Sequence, residues 1–146
     1  MDEREASAER ATAIGDGVLD VLCARARREG TLSDATLRDL HVLFDKTLQS
    51  AVDLLDFATI TRLSPRGAEG RAFWKVQSTS GSVYHCFSGY CSCQAFAFLV
   101  AHTSQSLCKH QLAVRLADTT GRFARQELDA DMWGVELLRG CGESMP

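Results

Sequence analysis

Residues 90–110 read YCSCQAFAFLVAHTSQSLCKH, and their cysteines and histidines decide how the chain is organised. Three of the six cysteines and two of the four histidines fall here. They stand as two matching pairs, Cys91-x-Cys93 and Cys108-x-His110, with fourteen residues between the pairs. Side chains at i and i+2 of an extended segment point to one side. Each pair therefore aims at a single point, and two such pairs complete a tetrahedron. Zinc takes that geometry and accepts both thiolate and imidazole. Competing readings are weaker. A Cys91–Cys93 disulfide closes a strained ring. A catalytic Cys–His pair has no need of three neighbouring thiols. Iron–sulfur clusters take four cysteines, and a buried structural thiol is usually solitary, as Cys23 is in this sequence. The spacing thus favours one structural zinc ion held by Cys91, Cys93, Cys108 and His110. With all four positions supplied by protein, no place is left for the water of a zinc hydrolase.

Working outward from this stretch, the spacer 95–101 reads as a short helix and residues 110–119 as a second one. Gly89 breaks the chain just before Cys91. Upstream, residues 59–63, 73–76 and 83–87 carry β-branched and aromatic residues separated by turn chemistry at 65–70 and at Ser80-Gly81, which predicts a three-stranded antiparallel meander. Further upstream lie three helical segments. Residues 9–28 place Ile14, Val18, Val21 and Leu22 at helical spacing, with Leu19 alongside, and Gly30 stops that helix. Ser33-Asp34 offers an N-cap to a second helix whose stripe is Leu37, Leu40, Phe44 and Leu48. A short third piece covers 51–56. Downstream, 128–138 predicts a last helix with Leu128, Met132, Val135 and Leu138 on one stripe and Trp133 and Leu137 beside it. The expected fold class is α+β: N-terminal helices, a small three-stranded antiparallel meander, and the CxC…CxH zinc module with C-terminal helices. The chain divides into a helical segment at 1–58, a basic meander and zinc module at 59–126, and a helix and tail at 127–146, all within one compact domain.

The chain has 146 residues, 45% of them hydrophobic, enough for one core but not for two. Its longest apolar run, 95–101, is far short of a bilayer span, so no membrane association is expected. The opening MDEREASAER has no basic stretch followed by an apolar one, and a reducing compartment is the expected home. Residues 59–126 hold eight basic and two acidic side chains, although the whole chain has a formal charge of −3. The cysteine-rich region is thus the basic region. It suits a phosphate backbone or an acidic partner as well as it suits a plain solvated surface.

The CxC…CxH arrangement, with Ala113 three residues past His110, resembles the SWIM-type zinc finger. The stretches LLDFATITRLSPRG, YHCFSGYCSCQAFAF and LCKHQLAVRLA resemble the small SWIM-domain subunits of the Shu complex, from about residue 51 to residue 116 and more loosely beyond. Gln94 departs from that pattern, which has proline there. The resemblance implies a non-enzymatic nuclear subunit of homologous recombination repair. It would pair with a RecA-like recombinase paralogue and help the main recombinase load onto, or persist on, single-stranded DNA. The alternatives are a stand-alone SWIM nucleic-acid-binding module, or an adaptor in a transposase-like or ubiquitin-ligase system.

Around the four ligands, Lys109 must point away from the metal and can meet phosphate or an acidic partner. Arg115 belongs to the same basic module. Trp74 beside Lys75 offers an aromatic next to a charge, as single-strand binders do, and Tyr84 and Tyr90 do so more weakly. Phe96, Phe98, Leu99 and Val100 read as core. His102 reads as a helix end, Cys141 as a thiol in a tail, and the His85-Cys86 pair as alternating strand residues without a metal role.

Overall fold

The computed structural model describes residues 3–102 and 107–141. Three helices come first: α1 (Glu3–Glu29), α2 (Asp34–Phe44) and α3 (Lys46–Phe57). Strands β1 (Thr59–Pro65), β2 (Phe73–Gln77), β3 (Val83–Phe87) and β4 (Tyr90–Cys91) follow, then α4 (Gln94–His102), α5 (Lys109–Thr120), β5 (Ala124–Leu128) and α6 (Ala130–Gly140). The class is α+β, as the sequence implied.

The sheet is larger than the expected meander. Its order is β4-β3-β2-β1-β5, so β1 to β3 form its centre and one strand is added at each edge. On one edge, β4 closes a hairpin with β3 through Ser88 and Gly89, and Gly89 takes the left-handed φ of 76° that the turn requires. On the other edge, β5 runs parallel to β1, with Thr61 opposite Ala124 and Pro65 opposite Leu128. Residues 124–127 are exposed and do not alternate in polarity, so β5 is held by its backbone ladder and leaves no hydrophobic period to read.

Three helical expectations shift. Gly30 does end α1, at φ 73°, with its N–H on the Ala26 carbonyl at 2.8 Å. The inward face of α1, however, is Leu19, Leu22, Cys23 and Ala26, whereas Val18 and Val21 face outward. The side chains of Ile14, Val100 and His102 lie outside the described residues. Ser33 caps α2 by accepting from Thr36 N–H at 3.2 Å. Leu48 does not continue α2: the chain turns at Asp45 (φ 49°), whose N–H closes on the His41 carbonyl, and Leu48 faces the core from α3. On α6 the inward face is Trp133, Glu136, Leu137 and Gly140, while Met132 and Leu138 of the expected stripe are exposed. The carboxylate of Glu136 turns this helix, because it pairs with His85 and Lys75 on the sheet.

Two apolar layers sandwich the sheet. On one face α5 packs between α1, α3 and the strands. Leu112, Ala113, Leu116 and Ala117 of α5 are fully buried there, beside Leu19, Leu40, Ala51 and Val76. Full burial of one leucine contributes about 1.5–3 kcal/mol, so α5 is the organising element of the core. On the other face α6 covers Leu63, Phe73 and Leu128, with Phe87, Trp133 and Leu137 packed around them. At Gly140 the helix comes so close to β3 that a Cβ would lie 2.7 Å from Phe87 Cζ.

Candidate metal centre

Each ligand pair sits where a strand or loop passes into a helix. Cys91 ends β4, opposite Cys86 on β3. Cys93 immediately precedes α4, and its Sγ accepts the Phe96 backbone N–H at 3.3 Å. Cys108 is the N-cap of α5, with extended backbone (φ −85°, ψ 173°), and its N–H donates to Gln111 Oε1 at 3.2 Å. His110 is the second residue of α5. The second pair is therefore not carried on an extended segment, as its spacing suggested. It straddles the start of a helix, where the turn from N-cap to first turn brings Cys108 Sγ within 4.0 Å of His110 Nδ1. Helix starts suit thiolates, because exposed backbone N–H groups and the positive end of the helix dipole favour the charged form.

The four donor atoms lie within 4.8 Å of one another, and all four residues are buried. Zinc–sulfur and zinc–nitrogen bonds of about 2.3 and 2.0–2.1 Å in a tetrahedron place ligand atoms ~3.5–3.8 Å apart, so these side chains are close to ligating separations. Burial, followed by the charge of Cys108, pushes the Cys93 thiol up. Cys108 is pushed up to about 12, first by its hydrogen bond with Cys91 and then by burial. For Cys91 the Cys108 contact lowers the pKa, but Cys86 and burial together outweigh it and the net shift is upward. Three neighbouring buried thiols resist ionising together, and a divalent cation supplies the missing charge. The donor set therefore fits zinc.

Two neighbours to which the sequence assigned no role at the metal lie against the ligands. The Tyr84 ring lies against His110, centroids 4.2 Å apart, and so limits the rotation of the imidazole. Cys86 donates its thiol hydrogen to Cys91 Sγ across 3.7 Å. The Tyr84–His110 contact joins a strand to a remote helix and no local spacing announces it, whereas the Cys86–Cys91 contact follows from the β3–β4 hairpin. Ala113 is fully buried one turn beyond His110. Gln94 opens α4, a position where proline fits equally well because the N–H there needs no intrahelical partner.

The remaining sequence candidates scatter. Lys109 is exposed and lines a cleft with Asp53, Phe57, Ser78 and Thr79. Lys75 pairs with Glu136 at 3.4 Å, and Arg115 with Asp20 at 2.6 Å. Trp74 is half-buried, edge-on to Phe123 at 4.9 Å. Tyr90 is exposed beside Phe96, which is core as expected, whereas Phe98 is 62% exposed. His85 faces away from the metal cluster, on Glu136, and Cys141 is exposed.

Relatives carry matching sequence. The chain is 37% identical over 108 residues to zinc finger SWIM domain-containing protein 7 of Homo sapiens, covering 72% of this chain and 76% of that protein. The protein of that name in Danio rerio is 36% identical over 110 residues, covering 73% and 76%. The homolog of that name in Dictyostelium discoideum is 32% identical over 114 residues, covering 76% and 72%. No family model matches the chain, and no solved structure matches it.

Proposed function

Since the chain belongs to the family of SWIM-type zinc-finger proteins, we propose that it is a zinc-stabilised, non-enzymatic nuclear subunit that pairs with a RecA-like recombinase paralogue. Together they would promote assembly or persistence of the main recombinase on single-stranded DNA during homologous recombination. The observation that carries the zinc part is the buried quartet of Cys91, Cys93, Cys108 and His110. The recombination part rests on the resemblance of residues 51–116 to the small SWIM-domain subunits of the Shu complex.

In this reading one zinc ion is a structural strut. When bound, it neutralises the three thiolates and joins two elements that sequence separates, the end of β4 and the start of α5. Cys93 and Cys108 cap their helices while they ligate, so the ligation energy also fixes where α4 and α5 begin. Ligand geometry of this kind does not pre-exist in an unfolded chain, and the binding energy becomes folding energy. Four protein ligands leave no open coordination position, which supports a scaffold over a hydrolase.

The test is co-expression of the whole chain with RecA-like paralogues from the same cell. A stable zinc-containing complex that lengthens the lifetime of recombinase filaments on single-stranded DNA is the expected result. A chain that purifies with full zinc but engages no RecA-like protein overturns the recombination reading. Direct contact with nucleic acid is a second reading, favoured by Lys109 standing exposed beside Phe57, which is 71% exposed. It requires affinity for single strands that falls steeply with salt.

A further inference from the structure

A fourth thiol adjoins the metal centre. Cys86 lies outside the four-ligand set, yet its Sγ is 3.7 Å from the Sγ of Cys91. The two residues are direct partners in the β3–β4 hairpin. The neighbouring pair is joined by Ser92 N–H on the His85 carbonyl at 3.0 Å, so by alternation Cys86 and Cys91 hold the closer, non-hydrogen-bonded position. Cα atoms at such a position stand about 4.5 Å apart, inside the span of about 4.4–6.8 Å that a disulfide bridges. Both thiols are nearly inaccessible, at 2% and 1% exposure. A cleft of about 310 Å³ nevertheless reaches Cys86, between Trp74, Gly89, Leu107, Gln111 and Arg115. It is roomy enough for an oxidant about the size of water.

We propose that Cys86 and Cys91 form an oxidative modification site, at which hydrogen peroxide joins them in a disulfide and removes one ligand from the metal. The inference rests on the zinc centre of the proposed function. The Cys86 sulfur holds no cation and is oxidised first, and the Cys91 thiolate, which keeps free electron pairs while it ligates, reacts second. Cys86 attacks one peroxide oxygen and the O–O bond breaks. Cys86 becomes a sulfenic acid, and its thiol proton leaves with the departing hydroxide as water. The Cys91 thiolate then attacks the Cys86 sulfur, the S–O bond breaks, and hydroxide leaves. In sum, one thiol, one thiolate and one peroxide give one disulfide, one water and one hydroxide. Two electrons pass from the sulfurs to peroxide oxygen. Three ligands remain, and β4 is released from α5. Exchange with small thiols reverses the bond and restores the ligand.

The experiment begins with the full chain purified under reducing conditions, its zinc content measured by elemental analysis. Hydrogen peroxide is added in steps while a chromophoric chelator reports released zinc. Disulfides are mapped by mass spectrometry after chymotrypsin, which cuts at Phe87 and Tyr90. Trypsin cannot separate the two cysteines, because no Lys or Arg lies between Lys75 and Lys109. The expected result is a Cys86–Cys91 link that appears in step with zinc release and disappears with dithiothreitol. In Cys86→Ala, peroxide-driven release of the zinc that the variant holds is about tenfold slower, since the intramolecular thiol is gone. A different first disulfide, such as Cys93–Cys108, overturns the proposal, and so does equally fast release from Cys86→Ala. Mapping on the unsubstituted chain decides the matter even if that variant folds poorly. Absence of zinc from the unoxidised chain refutes the zinc centre instead, and the mapping still shows whether Cys86 and Cys91 join.

Discussion

Replacing Glu136 by alanine is expected to destabilise the protein by about 2–4 kcal/mol while leaving its zinc in place. The carboxylate is buried under α6, on the face of the sheet away from the metal, with Oε2 2.9 Å from His85 Nε2 and Oε1 3.4 Å from both Lys75 and Arg139. The Lys75 and Arg139 side chains are 28% and 55% exposed, so both rehydrate when the carboxylate is removed. Each such loss costs at most about 1 kcal/mol. His85 cannot rehydrate at 6% exposure, and stranding a buried polar group costs about 1–3 kcal/mol. Glu136→Gln keeps the shape and one hydrogen bond to His85, and its cost should be about 1 kcal/mol. The assay is urea unfolding of the zinc-loaded chain in a Trp74→Phe background, in which Trp133 reports the α6 layer. Burial alone would raise the Glu136 carboxyl, but His85 and Lys75 outweigh it and hold it below its ordinary 4.5. A carboxylate held low in the folded chain stabilises above its unfolded pKa, and that contribution is lost as pH falls through the folded value. The carboxylate's share of the stability difference between the unsubstituted chain and Glu136→Gln should therefore shrink as pH falls below about 4.5, with zinc's own pH dependence largely cancelling. A loss under about 0.5 kcal/mol for Glu136→Ala, or equal losses for the Ala and Gln variants, would refute the reasoning.

Alanine at Cys93 or His110 should abolish stoichiometric zinc and, with it, cooperative thermal unfolding; a chelator should do the same to the unsubstituted chain, and calorimetry with elemental analysis checks both. Should these variants stay folded and keep a partner, the scaffold role of zinc is wrong. Lys109→Glu should leave the melting temperature within about 2 °C, because the side chain is exposed, but weaken binding to single-stranded DNA or to an acidic partner in a titration at low salt. Gly140→Ala should cost about 1–3 kcal/mol in the same urea assay, since its methyl group meets the Phe87 ring at 2.7 Å.

What the sequence determined by itself was local and chemical. Two ligand pairs fourteen residues apart pointed to a metal site and to the four residues that the structure brings together, because zinc chemistry depends on donor type and short spacing. The Ser33 cap, the Gly30 stop and the β1–β3 meander were equally readable, each signalled by neighbours within a few residues. Tertiary structure decided whatever depends on groups far apart in the chain. The strand β5 joins the sheet through backbone bonds to β1, sixty-odd residues away, and its exposed side chains leave no trace of the pairing. The inward face of α6 is set by a carboxylate that finds His85 and Lys75 on other elements, so its apolar stripe pointed the wrong way. The basic balance of residues 59–126 suggested an open charged surface, yet Lys75, Arg115 and Arg122 each meet an acid remote in sequence. Hydrogen-bond ladders and ion pairs obey distance in space, and distance along the chain encodes them only where the two coincide, as they do at Cys86 and Cys91 across a two-residue turn.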